Sequence, residues 1–432
     1  MPITEIIARK RDRGELSAAE IAAAVSGFVR GDVSDGQMAA LLMAIVLNGM
    51  SDRECADLTT AMVDSGERLD LSAIPGTKVD KHSTGGVGDK TTLVVAPLVV
   101  ALGVPVPKMS GRALGHTGGT IDKLEVIRGL RTDLGPEQFV AQVSRIGIAI
   151  AAQSATMVPA DKRIYALRDE TATVESIPLI ASSVMSKKLA AGADAIVLDV
   201  KAGGGAFMTD VESASDLARV MVDIGARHGK RMVAVVTRMD QPLGRAVGDA
   251  VELAEAVATL GGGGPPDLVE LCEVLAAHML VLGGVAASLD DGRARARQGL
   301  RSGVGRAKLR EMALAQGGDP AALDDPDLLT RGLEQMPVHL DRSGIVVGLD
   351  ARQIGFALRQ LKAAAGEKRR SCGLLLHTKV GDAAGEGEGA TLLYPAGARD
   401  AALAAANRVR AAYHIGAAAP PSPPLVAATF AS

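Results

Sequence analysis

The stretch KHSTGGVGDKTT, residues 81–92, sets a lysine, a histidine and a serine side by side at the mouth of a glycine-rich loop. Glycines let a backbone approach an anion closely, and hydroxyl residues after them point to phosphate. The usual phosphate templates fail, however. A Walker A loop needs Gly-x-x-x-x-Gly-Lys-Ser/Thr, and counting back from Lys90 and Thr91 the glycine positions hold Thr84 and Asp89. The dinucleotide fingerprint fails as well, because Gly86 and Gly88 are followed by Thr91 where a third glycine belongs.

Working outward, TKVD (77–80) reads as a strand leading into this loop. VPVPKMS (104–110) reads as a second strand, leading into GRALGHTGGT (111–120). The first loop offers Lys81, His82, Ser83 and Thr92, and the second offers Lys108, Ser110 and Thr120. Any one of these alone reads as a solvated surface group. Two ammonium groups and four hydroxyls converging from adjacent strand ends instead make a site for a tetrahedral dianion. Ligands of α/β sheets sit at the carboxyl ends of strands, where both loops fall.

The surroundings fit an α/β fold. AIVLDVKAGGGAF (195–207) and RMVAVVTRMD (231–240) read as buried strands separated by the helical pattern of residues 211–229. GGGGPP (261–266) reads as a turn. TTLVVAPLVVALGVPVP (91–107) is uncharged but holds three prolines and falls short of the ~20 residues a membrane helix needs. It reads as a buried helix and then a buried strand. Upstream, Ser17-x-x-Glu20, Ser34-x-x-Gln37 and Ser51-x-x-Glu54 are capping boxes opening short helices, hence a small helical lobe. Beyond residue 335 short strands interrupted by one helix (351–365) read as a mostly-β module. GAAAPPSPPLVAATFAS reads as an extended tail, disordered or laid along the surface.

The 432 residues are 47% hydrophobic and 22% charged, a globular composition with room for more than one compact unit. A net charge of -3 gives no long-range pull on nucleic acid or an anionic membrane, so an anionic ligand has to be caught locally. Cys55, Cys272 and Cys372 are odd in number and lack metal spacing, which suits reduced thiols in a cytoplasm. The N-terminus lacks the apolar core of a signal peptide.

KVDKHSTGGVGDKTTL (78–93) together with SGRALGHTGGTIDKLE (110–125) closely resembles the thymidine and pyrimidine-nucleoside phosphorylases. The resemblance continues through residues 159–208 and 241–257 and reaches about residue 415. It implies a helical lobe, residues 1–66 with 162–192 returning to it, hinged to an α/β lobe with a mixed sheet, residues 67–161 and 193–334. A C-terminal α+β module, 335–415, and the tail, 416–432, complete the chain. The implied reaction is reversible phosphorolysis of a pyrimidine nucleoside (thymidine, with uridine and deoxyuridine) to free base and α-pentose 1-phosphate. Phosphate binding maps onto Lys81, Ser83, Thr92, Lys108, Ser110 and Thr120. The base site maps onto Tyr165, Arg168, Ser183 and Lys187, with His82, Arg168 and Lys187 as the catalytic set. Arg168 and Lys187 would supply positive charge where the leaving base gains negative charge, and His82 a proton or a hydrogen bond to O2.

The resemblance also implies a homodimer through the helical lobes, no organic cofactor, and a structural potassium ion held by Gly88, Lys90, Leu243, Ala246 and Glu255. Relatives often carry a hydroxyl residue where Lys90 stands. Relatives confined to deoxynucleosides tend to carry methionine where Lys108 stands, so lysine implies acceptance of uridine. LKAAAGEKRRSCG (361–373) departs from the family's glycine-rich connection. Two other readings stay open: an anthranilate-type phosphoribosyltransferase, which lacks a paired acidic loop here for its magnesium, and a non-catalytic nucleoside-binding protein.

Overall fold

The computed structural model describes residues 1–432 except 114, 155 and 386. The chain opens with α1 (Ile3–Arg11), α2 (Ala18–Arg30), α3 (Asp35–Asn48) and α4 (Asp52–Val63). All three capping boxes form, with Ser17, Ser34 and Ser51 each accepting from the third residue of its helix. Glu54 does more than cap. Its carboxylate accepts from Lys10 Nζ at 2.9 and 3.0 Å and from the Leu16 N–H at 2.9 Å, so a buried ion pair joins α1 to α4. Phe28, Leu41, Ile45 and Met62 fill the space between the helices.

The chain then builds β1 (Val79–Ser83), α5 (Thr91–Ala101), β2 (Val106–Ser110), α6 (Thr120–Leu124), α7 (Pro136–Ile146) and β3 (Ile148–Ala152). Next α8 (Pro159–Glu170) and α9 (Ile177–Ala190) return to pack on α2, α3 and α4. The α/β lobe resumes with β4 (Ala195–Ala202), α10 (Val211–Arg227), β5 (Arg231–Arg238), β6 (Ala246–Val247) and α11 (Asp249–Leu260). It closes with α12 (Pro266–Leu282), α13 (Leu289–Ser302), α14 (Val304–Ala315) and α15 (Ala321–Asp324). β1 reaches further than TKVD. Lys81, His82 and Ser83 lie in the strand because they pair with Val197, Leu198 and Asp199 of β4.

The C-terminal module comprises β7 (Glu334–His339), β8 (Gly344–Leu349), α16 (Ala351–Ala364), β9 (Gly373–Leu376), β10 (Ala383–Ala384), β11 (Glu388–Tyr394), α17 (Arg399–Ala411) and β12 (Tyr413–Gly416). Among the described residues it holds two α-helices, not one. The alanine-rich run of α17 carries a weak apolar signal, yet it buries Ala402, Ala405, Ala406 and Val409. Its larger sheet runs β6-β9-β11-β7, so the α/β lobe lends it an edge strand.

The tail, expected to be extended and either disordered or laid along the surface, ends as a strand, β13 (Val426–Ala431). It pairs antiparallel with β5, giving a mixed main sheet in the order β1-β4-β5-β13, the first three strands parallel. Only the proline-rich stretch before it lacks regular structure. The reason is positional: β5 would otherwise expose a row of unpaired backbone groups, and VAATFA has the β-branched and aromatic residues to cover it.

The chain crosses between lobes three times, and the crossings touch. The Glu67 N–H donates to Thr156 O at 3.0 Å, and the Leu69 N–H to Ala190 O at 2.9 Å. At Gly66 a Cβ would stand 2.3 Å from Thr156 O and 2.5 Å from Met157 O, so only glycine permits this approach.

Candidate active site

Alternation along β1 sends Asp80 and His82 to one face and Lys81 and Ser83 to the other. On the second face Lys81 is fully buried and donates to Thr91 Oγ1 at 2.6 Å, with Asp199 Oδ2 at 3.4 Å. Ser83 donates to Asp89, whose other oxygen accepts from the Thr91 N–H at 3.1 Å and the Thr91 hydroxyl at 2.6 Å. Thr92 lies beside it in the first turn of α5. Burial works to raise the Asp89 carboxyl, but Lys81, Lys201 and the two hydroxyls outweigh it and hold it well below the usual range. The loop is thus shaped around a negative charge.

On the first face Lys108, from β2, lies 3.6 Å from Asp80 Oδ1, while Lys188 Nζ donates to Asp80 Oδ2 at 2.9 Å and to Met109 O at 2.9 Å. Burial, followed by repulsion from Lys188 and Lys81, drives Lys108 well below its ordinary value against the pull of Asp80. Burial and then the ammonium groups of Lys188, Lys108, Lys81 and Lys187 push His82 far down too, so its imidazole is neutral at pH 7. Ser110 ends β2 and Thr120 opens α6, both partly exposed at the rim.

The charge count at the strand ends is uneven. Lys81, Lys108, Lys188 and Lys201 face Asp80, Asp89 and Asp199, four lysines against three carboxylates. A dianion arriving beside Lys108 would favour its charged form, which burial and its lysine neighbours otherwise disfavour.

Beside this face, a cleft of about 480 Å³ separates the lobes, lined among others by Arg112, Met157, Asp161, Tyr165 and Lys187. Lys187 Nζ donates to Ser183 Oγ at 2.8 Å as well as to Asp161. Two of the four residues expected to hold a base, Tyr165 and Lys187, line this cleft, and Ser183 is joined to it through Lys187.

Arg168 does not line it. Its guanidinium is buried and donates to three backbone carbonyls, Thr173 O at 3.1 Å, Val174 O at 2.6 Å and Leu179 O at 3.1 Å. In this arrangement it fastens the α8–α9 connection, with Tyr165 stacked 5.6 Å away. Burial alone lowers its pKa.

Residues 75–306 match the a/b domain of the glycosyl transferase family, and residues 4–66 match its helical bundle domain. A pyrimidine-nucleoside phosphorylase of Bacillus subtilis is 51% identical over 398 residues, 91% of this chain and 92% of its own. The chain belongs to the pyrimidine-nucleoside phosphorylase family. Members from Staphylococcus haemolyticus and Geobacillus stearothermophilus are 50% and 49% identical, each over at least 90% of both chains. An anthranilate phosphoribosyltransferase from Thermus thermophilus, 22% identical, matches with a TM-score of 0.60 over 72% of this chain and 98% of its own, a likeness of fold.

Within this pyrimidine-nucleoside phosphorylase framework the sequence reading missed the carboxylates. Asp80, Asp89, Asp161 and Asp199 organise every lysine of the site. A signal existed in AIVLDVKAG, where Asp199 and Lys201 interrupt an otherwise apolar strand buried at every position. Lys201 Nζ lies 2.8 Å from Asp199 Oδ2 as an ion pair, and Asp199 Oδ1 accepts from the Thr237 hydroxyl at 2.6 Å. His116 packs between Phe207 and Phe356.

The five residues expected around a potassium ion also converge, but not as an ion site. Lys90 Nζ donates to Leu243 O at 2.9 Å, Ala246 O at 2.8 Å and Glu255 Oε2 at 2.6 Å. Gly88 lies against Leu243, whose N–H donates to Val87 O at 3.1 Å. The acceptors a potassium ion would need are already satisfied by an ammonium, so the residues present do not fit the ion.

Proposed function

We propose that this chain catalyses the reversible phosphorolysis of pyrimidine nucleosides, thymidine and uridine among them. The observation that carries the reading is the cluster of buried lysines, Lys81, Lys108, Lys188 and Lys201, gathered at the strand ends beside a neutral His82. Phosphate bound by Lys81, Ser83, Thr92, Lys108, Ser110 and Thr120 gives that cluster a dianion to face. One of its oxygens attacks C1′ as the bond from C1′ to the pyrimidine nitrogen breaks, and the dianion stabilises the cationic sugar that develops. The electron pair of the broken bond goes to the base. Its carbonyl oxygens are met by Lys187 and by the N–H of the neutral His82 imidazole, a hydrogen-bond donor and not a charged acid. Tyr165 and Ser183 flank the ring. Arg168 acts through the loop it holds.

The test is incubation with thymidine or uridine, with and without phosphate, while following the ultraviolet shift on base release. Release that requires phosphate and yields pentose 1-phosphate is expected. Release independent of phosphate overturns the reading, and consumption of phosphoribosyl pyrophosphate with magnesium assigns the chain to the transferase alternative.

The dimer belongs to the same proposal. Met43 and Leu47 stand exposed on α3, 37% and 73%, which supports a second copy packed there. Sedimentation at a dimer's mass is the expected result. Three buried free cysteines support a reducing, cytoplasmic setting. Among the described residues no helix is long and apolar enough to cross a membrane.

A further inference from the structure

Lys90 closes the glycine loop and stands at the N-cap of α5, yet its long side chain turns away from the active site into the protein and is buried to 1% exposure. An ammonium has three N–H donors, and Lys90 meets three oxygen acceptors at 2.6–2.9 Å, two carbonyls and one carboxylate. Nothing is left over. The carboxylate is itself fixed, since Glu255 accepts from the Arg245 N–H at 2.9 Å and the Ala246 N–H at 3.1 Å. The chamber has no spare room. A Cβ at Gly244, where φ is +71°, would stand 2.2 Å from Glu255 Oε2 and 2.9 Å from Lys90 Nζ.

Carbonyl and carboxylate oxygens converging on one point are the ligand set of a hard cation. Here the charge at that point is covalently attached to the loop. It ties the loop ahead of α5 to the segment 243–246, which leads through β6 into the sheet of the C-terminal module. We infer that Lys90 is a built-in monovalent cation. It replaces an exchangeable potassium ion, and it makes the geometry of the 81–92 loop independent of the salt present.

Tethering changes what the ion can do. A free ion leaves when its concentration falls, whereas a tethered ammonium is lost only by mutation. Nothing about this depends on the reaction assigned above, because the decisive readout is thermal melting without substrate. If phosphorolysis fails its own test, this inference stands or falls separately.

The experiment compares wild type, Lys90→Thr and Lys90→Met in potassium, sodium or tetramethylammonium chloride at equal ionic strength. Wild type is expected to melt at the same temperature in all three salts. Lys90→Thr, which opens the chamber and leaves its acceptors in place, should lose several degrees in tetramethylammonium and recover them saturably as potassium is added. Lys90→Met, which fills the chamber without charge, should lose stability in every salt and recover in none. Potassium-specific stabilisation of wild type overturns the inference even if neither variant folds. So does a Lys90→Thr variant as stable as wild type in tetramethylammonium, or one whose loss potassium does not repair, since Lys90 is then a packing residue. With phosphorolysis as a second readout, the KM for phosphate of Lys90→Thr should fall as potassium is added, while that of wild type stays level.

Discussion

Lys187 Nζ stands 2.5 Å from Asp161 Oδ2, joining α9 to α8 at the cleft wall where the pyrimidine is proposed to sit. The contact fixes where the ammonium points, since the Ser183 hydroxyl takes a second of its protons. Lys187→Met should lower kcat/KM for nucleoside about 10²–10³-fold, the usual effect of deleting one donor to a developing anion. The KM for phosphate should change little. Asp161→Asn keeps the ammonium in the cleft and should cost clearly less. Equal losses in steady-state kinetics would show that the pair matters as a strut and not as a charge on the base.

His82 titrates below its ordinary value, so its neutral form persists to lower pH than a free imidazole's. In the unliganded enzyme the His82 ring, followed by NMR, should show no titration as pH falls through 6.5 and should protonate only in more acid solution. An inflection near 6.5 that vanishes in His82→Gln would contradict this. His82→Ala should lower kcat by about 10²–10³-fold through loss of one hydrogen bond to the leaving base, with phosphate KM preserved.

Lys108 carries two predictions of opposite sign. Its pKa is depressed by burial and by its lysine neighbours. The unfolded chain therefore binds more protons over the interval between the folded value and the ordinary one, and stability rises with pH there. Lys108→Met removes that penalty, while Asp80 keeps Lys188. The variant should melt higher than wild type at neutral pH, the gap closing as pH approaches the ordinary lysine value. The same variant should lose activity on both nucleosides. The ratio of kcat/KM values should move toward thymidine about 5- to 150-fold, the effect of ~1–3 kcal/mol for a buried ribose hydroxyl left without a partner. A fixed ratio would make Lys108 a phosphate ligand only.

The two glycine loops, the capping boxes and the buried run after Lys90 were legible because each is a local pattern with a local cause. The three serines cap their helices as read, and Thr91–Ala101 is a helix buried along nearly its whole length. What was not legible depends on contacts distant in sequence. Arg168 looks like a substrate ligand until Thr173, Val174 and Leu179 are seen to hold it. Lys90 was read as lending a carbonyl to a potassium ion, and only the packing of residues 243–255 against it shows its own ammonium meeting those acceptors. β13 was hidden because its six residues gain their meaning from β5, nearly two hundred positions away.

That strand makes a further prediction. A chain truncated after residue 416 loses the cover of β5, and Phe430 leaves the Arg219 guanidinium 4.8 Å from its ring. Such a protein should retain its helical content in circular dichroism but aggregate at lower temperature, as exposed sheet edges do. Unchanged light-scattering onset would show the edge is harmless.

The three lobe crossings have a mechanical consequence. Because residues near 66, 156 and 190 are stitched to one another, the two lobes share a single pin and not three separate straps. Relative motion about such a pin is rotation, with one angle setting how far Lys187 stands from His82. Gly66 is the bearing surface of that pin.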